Sequence, residues 1–149
     1  AAEAKQLMLD YFARFGGVRE YLRAVVDQAK RDHFTETLFG RRRPFPDLTS
    51  PNRVLRENAE RAALNAPIQG SAADIIKIAM VRIEEQIIEQ GLKSKMLLQI
   101  HDELMFEVAP GEQEVLEKIV VETMSSAADL LVPLEVHIGI GENWNAAAH

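Results

Sequence analysis

An α+β fold, a small antiparallel sheet covered by helices, is predicted by three features of this 149-residue chain. Its first third repeats apolar residues at helical spacing. Residues 95–108 hold two apolar strands around a short polar turn. Near the C-terminus Leu134, Val136, Ile138 and Ile140 alternate cleanly with Glu135, His137 and Gly139, the period of a half-buried strand. Helices and antiparallel strands in this order pack as one helical layer on one small sheet.

Residues 1–15 read as a helix through Leu7, Met8, Tyr11, Phe12 and Phe15, and Gly16-Gly17 interrupt it. A second helix over 18–32 gathers Val18, Leu22, Val25, Val26 and Ala29 on one face. The β-rich run 34–38 predicts a short strand, and the Gly, Pro, Asp and Ser of 40–52 an irregular loop. A helix over 54–65 is expected to break at Pro67, which lacks an N–H and disfavours helix at Ala66. Ser71 and Asp74 resemble a capping box opening a further helix to residue 90, with a core stripe of Ile75, Ile76, Ala79, Met80, Ile83 and Ile87, and Gly91 ends it. The hairpin pairs 95–100 with 103–108, placing Leu104, Phe106 and Val108 on one face. An amphipathic helix over 112–131 carries Val115, Leu116, Ile119, Val120 and Met124, and a last strand covers 134–140. Trp144 is expected to anchor the tail, with base stacking as the alternative role.

The length suits one domain, and 47% hydrophobic with 27% charged residues suits a globular protein. With no cysteine, disulfides and thiolate metal sites are excluded. No apolar run approaches a membrane span, the N-terminus has no signal-peptide plan, and the lack of an initiating Met suggests a start inside a longer protein. The net charge of −6 argues against indiscriminate nucleic-acid binding. Its distribution is uneven: from Lys30 to Arg61 there are 8 basic and 5 acidic residues, and from Glu84 onward 3 basic and 13 acidic. That is either an ordinary patchy surface or a middle segment that meets a polyanion.

Three groups of residues carry chemistry. Asp102 and Glu103 fall at the mouth of the hairpin, where adjacent carboxylates repel and flanking strands are expected to exclude water. Either Asp102 simply favours the bend, or a divalent cation relieves the repulsion; Mg²⁺ takes one or two carboxylates with phosphate and water, which suits phosphoryl transfer. His101, expected by alternation on the face of Gln99, either orients Asp102 or donates to a phosphate or base. A metal-dependent hydrolase built on this His-Asp pair would need further ligands, and His33, His137 and His149 have no helpful spacing. Arg61 and Asn65 lie one helical turn apart, and Gln69 continues the spacing beyond the expected break. They are either a polar helix face or donors to base-edge acceptors, which occur at every pair in the minor groove. Arg41, Arg42 and Arg43 form either a phosphate-binding loop or a solvated, salt-bridged one.

Together, Thr37-Leu38-Phe39-Gly40-Arg41-Arg42-Arg43, the run from Ala59 through Asn65-Ala66-Pro67-Ile68-Gln69-Gly70 to Ile76, Gln99-Ile100-His101-Asp102-Glu103-Leu104 and Gly141-Glu142-Asn143-Trp144 closely resemble the C-terminal part of the bacterial family A DNA polymerases, in the right order over essentially the whole chain. Pro44 departs from the family pattern, where an aromatic or aliphatic residue is expected. The resemblance implies that 1–33 are helices leading from the fingers and that 34–149 belong to the palm, with a catalytic β-hairpin. It implies that Asp102 is one of two palm aspartates holding two catalytic Mg²⁺ ions, with Glu103 its less critical neighbour. Arg61, Asn65, Gln69 and His101 would line the primer-template minor groove, and Arg41, Arg42 and Arg43 would form a basic loop near the nucleic-acid path. The implied partners are primer-template DNA, a dNTP and the upstream remainder of the polymerase, with no membrane partner, in the bacterial cytoplasm at the nucleoid. The family's other metal-binding aspartate, its triphosphate-gripping fingers helix and its nuclease regions have no match here, so the chain by itself is expected to be inactive. The rival expectation is a non-catalytic DNA-binding or assembly module that keeps the fold.

Overall fold

The computed structural model describes residues 2–147. The fold is α+β, with two separate two-stranded antiparallel sheets where the sequence suggested one. The chain divides into two compact units, Ala1–Ala72 and Ala73–His149.

In the first unit, α1 (Ala2–Arg14) and α2 (Gly16–Asp32) follow each other with only Phe15 between them. The two glycines fall inside the first turn of α2 rather than in a linker. One face of α2 carries half-buried Leu22, Val25 and Val26 and buried Ala29. His33 closes the helix at φ 62°, its N–H donating to the Ala29 carbonyl at 2.8 Å. Strand β1 (Phe34–Glu36) is two residues shorter than expected and pairs with β2 (Arg42–Pro44) in the register Thr35↔Arg43. The segment expected to be an irregular loop thus holds a strand and, at Pro46–Thr49, a 3₁₀ turn. Arginines and proline hid the strand from a composition reading. Pro44 is tolerated because a two-stranded sheet has free edges, and Glu36 faces Arg42 across the pair.

Helix α3 (Arg53–Glu89) begins under Asn52, whose Oδ1 accepts the Val54 N–H at 2.9 Å. It then runs unbroken through Pro67, against the expected break. An interior proline costs a helix about 3 kcal/mol and Gly70 adds about 1. Packing overrides that local preference: Pro67 is buried, and Ala59, Ala63 and Ala66 join Ala29, Phe45 and Leu48 in the core of this unit. Ser71 does not open a new helix. It lies mid-helix, 7% exposed, and its Oγ accepts the Leu38 N–H at 2.9 Å.

The second unit is built on Ala79, Ile83 and Ile87 of α3. Gly91 (φ 64°) ends that helix as expected: its N–H reaches the Ile88 carbonyl and the Leu92 N–H the Ile87 carbonyl, a Schellman closure. Strands β3 (Lys95–Ile100) and β4 (Glu103–Glu107) form the expected hairpin, with an irregularity between Met96 and Leu98. Met96, Leu104 and Phe106 pack on the core, which α4 (Gln113–Ser125) completes with Leu116, Ile119 and Val120. This helix stops six residues before the expected end. The Ser125 and Ser126 hydroxyls donate back to the Val121 and Glu122 carbonyls, each at 2.6 Å, and the chain turns to bury Ala127. Residues 134–140 are not a strand. Leu134 and Val136 are half-buried while Ile138 and Ile140 are exposed, and among the described residues no backbone pairs with them. Trp144 opens a short helix, α5 (Trp144–Ala147), and is 52% exposed, so it does not anchor the tail.

Candidate functional site

The β3–β4 turn consists of His101 and Asp102, because Ile100 pairs directly with Glu103. A two-residue connection demands unusual dihedrals, and His101 supplies them at φ 53°, a left-handed conformation that favours glycine. Histidine adopts it more readily than most residues, and Gln99 helps by donating from Nε2 to the His101 carbonyl at 2.9 Å. The strand alternation therefore stops at Ile100, and His101 belongs to the turn rather than to the face of Gln99. Asp102 and Glu103 are adjacent and both exposed. The expected exclusion of water from the pair is not met: solvent screens the two carboxylates here.

Hard carboxylate oxygens displayed in water are the donor set Mg²⁺ favours, one or two per ion with the rest of the shell from water or phosphate. Asp102 and Glu103 fit that pattern as a partial shell. Among the described residues no group of three or more His, Cys, Asp or Glu side chains converges on a metal position.

In the first unit, the unbroken α3 brings Arg61, Asn65 and Gln69 onto one exposed stripe, since residues four apart stay neighbours in a continuous helix. The expected break had left the direction of Gln69 open. Arg61 is steadied by a hydrogen bond to Asn58 Oδ1. This row of guanidinium and amide groups can donate to base-edge acceptors.

The three consecutive arginines are each engaged locally. Arg41 donates from Nη2 to the Gly70 carbonyl at 3.0 Å. Arg42 pairs with Glu36 at 2.8 Å and lies 4.6 Å from the Phe34 ring centroid. Arg43 lies 5.1 Å from that of Phe45. Arg42 and Arg43 stand on β2 rather than in a loop, and all three are exposed.

Sequence reasoning missed the groups that support the acidic hairpin. Ser94, 2% exposed, accepts the Ala109 N–H at 2.9 Å and donates to Glu112 Oε2 at 2.6 Å, closing the hairpin at its root. Glu112 also accepts the N–H groups of Lys93 and Ser94. The Ser94 hydroxyl and these N–H donors hold its carboxyl below the ordinary range. No sequence signal marks this knot, since a Ser and a Glu 18 residues apart are unremarkable until the hairpin folds.

The palm-like hairpin and the helix with its polar stripe place the chain in a class, and comparison with known proteins names it: residues 1–146 match the DNA polymerase family A, and the chain belongs to that family. It is 60% identical over 147 residues to DNA polymerase I of Mycobacterium tuberculosis strain H37Rv, covering 99% of this chain and 16% of that protein. It is 46% identical to DNA polymerase I of Streptococcus pneumoniae TIGR4, over 97% of this chain and 16% of that one. Among solved structures it matches the POL domain of Pol1 from M. smegmatis in complex with DNA primer-template and dNTP, with a TM-score of 0.97 and 61% identity over 99% of this chain and 26% of that one. The chain thus spans about a sixth of the length of these curated relatives.

Proposed function

We propose that this chain is the C-terminal palm portion of a DNA-directed DNA polymerase, with residues 1–33 as helices leading from the fingers and 34–149 as palm. In the whole enzyme the primer 3′-hydroxyl oxygen forms a bond to the α-phosphorus of a dNTP, and the bond to the pyrophosphate oxygen breaks. Asp102, with Glu103 beside it, would hold Mg²⁺, two ions of which, when bound, supply charge stabilisation to the attacking and leaving oxygens. Arg61, Asn65, Gln69 and His101 contact the primer-template along its minor groove, donating to acceptors common to all base pairs. Arg41, Arg42 and Arg43 lie near the nucleic-acid path.

The observation that carries this reading is the two-residue turn that displays Asp102 and Glu103 to solvent in a chain of this family. The primer-template and dNTP of the M. smegmatis complex support the substrate assignment. The test is Asp102→Ala in the full-length polymerase. Incorporation should fall by about 100- to 1000-fold, the usual cost of losing a group that stabilises transition-state charge, with primer-template binding retained. Unchanged incorporation would instead make the segment a non-catalytic DNA-binding or assembly module.

A further inference from the structure

Pro67 and Gly70 should make the middle of α3 its weakest stretch. Pro67 leaves the Ala63 carbonyl without its N–H partner in the ladder, and Gly70 adds backbone freedom. Gln69 lies between them, yet the helix is continuous and Gln69 stays on the stripe of Arg61 and Asn65.

What grips the helix there is the loop between β1 and β2. Thr37 organises it: its carbonyl accepts the Gly40 N–H at 3.0 Å, its N–H donates to the Arg41 carbonyl at 3.0 Å, and its Oγ1 accepts the Arg41 N–H at 3.2 Å. Gly40 makes the bend at φ 81°. The loop then meets α3 at two consecutive residues. The Leu38 N–H donates to buried Ser71 Oγ at 2.9 Å, and the Arg41 guanidinium donates to the Gly70 carbonyl at 3.0 Å. The fit is close enough that a Cβ on Gly70 would stand 2.7 Å from Thr37 Cγ2. Gly70 is therefore required by contact, not by its dihedral angles.

We propose that this loop is a latch, and that Arg41, Gly70 and Ser71 are positioning residues that hold Gln69 in line with Arg61 and Asn65. Arg41 then serves DNA synthesis through the helix rather than by gripping a phosphate. The proposal rests on the reading that the stripe meets the primer-template.

The experiment uses the full-length polymerase with Arg41→Ala, Ser71→Ala, Ser71→Thr, Gly70→Ala, Gln69→Ala and Arg61→Ala. Three quantities are measured: kcat/KM for incorporation, the salt dependence of primer-template affinity, and amide hydrogen exchange across 66–72. The latch predicts that Arg41→Ala, Ser71→Ala, Gly70→Ala and Gln69→Ala should each lower kcat/KM about 10- to 100-fold, because a small misplacement of a substrate-contacting group has effects of that order. Exchange should quicken across 66–72 in Arg41→Ala and Ser71→Ala while 59–63 keep their protection. Ser71→Thr, which retains the acceptor, should restore both activity and protection. The salt slope should be unchanged in Arg41→Ala.

A slope reduced by about one counterion in Arg41→Ala would make that residue a phosphate contact and overturn the proposal. So would unaltered exchange at 66–72, or full activity in Arg41→Ala and Ser71→Ala beside a crippled Gln69→Ala. Full activity in both Gln69→Ala and Arg61→Ala would overturn the parent reading of the stripe, and the latch's role in synthesis with it.

Discussion

His101, Ser94 and Glu112 illustrate how little chemistry is needed to set the acidic hairpin in place. At its tip, His101 accepts a left-handed dihedral so that Asp102 can follow in a two-residue turn. Strained backbone of this kind costs about 1–3 kcal/mol and is kept where the surrounding structure over-determines it. At its root, Ser94 and Glu112 tie the start of β3 to the chain that follows β4. Ser94→Ala leaves the half-buried Ala109 N–H without its acceptor and removes the hydroxyl that bonds Glu112, and should destabilise the unit by about 1–3 kcal/mol, measured by amide exchange over β3 and β4 in the intact polymerase. Glu112 makes a pH-dependent contribution of definite sign. Its folded carboxyl is acidified, so its stabilisation is whole above the range in which a free glutamate titrates and is lost as the pH falls through the folded value. Wild type and Glu112→Gln should therefore differ in thermal midpoint above about pH 5, and the gap should close in more acid buffer. A gap that widened in acid would show the opposite linkage.

Among the elements, those that declare themselves locally were legible in the residues. The β3–β4 hairpin shows its polar turn between apolar runs, α2 its apolar face, and the end of α3 its Gly91. The site turn was legible for the same reason, because Asp102 and Glu103 fall where the pairing must reverse. The failures have tertiary causes. Helix α3 survives Pro67 because alanines and a neighbouring loop hold it; β2 hides among arginines and a proline; 134–140 alternates without a pairing strand among the described residues. Ser71 read as a helix cap because Ser-x-x-Asp has that form, yet its hydroxyl serves a loop 33 residues away. At this scale α3 also supplies the most buried large side chain of the second unit: Ile83 is 0% exposed. Ile83→Ala should cost about 2–5 kcal/mol, seen as faster exchange in α4 and the adjoining part of α3. A cost below 1 kcal/mol would mean that the site collapses around the deletion.

For the molecule as a whole, many large apolar side chains stay exposed. Leu7, Met8 and Tyr11 on α1, Leu97 and Leu98 on β3, and Leu131 are all exposed. Such surface accords with a chain that spans about a sixth of its curated relatives' length. Basic residues concentrate before Arg61 and acidic ones after Glu84, so the two signs of charge fall to different stretches of the sequence. On the proposed function one acidic turn would supply only part of a metal shell, and the triphosphate-gripping fingers helix that the family resemblance implies has no match in the sequence. Purified chain alone should therefore extend no primer above a mock-purified control, whereas the full-length enzyme should. Extension by the chain alone that disappears in Asp102→Ala would show that the segment suffices.

The proposed function turns on Asp102 as a metal ligand for nucleotidyl transfer. Its most direct measurement is anomalous scattering from crystals of the full-length polymerase with primer-template, dNTP and Mn²⁺ in place of Mg²⁺. A manganese peak is expected in the coordination sphere of the Asp102 carboxylate, lost in Asp102→Ala. Ordered DNA and nucleotide with no ion at that turn would contradict it.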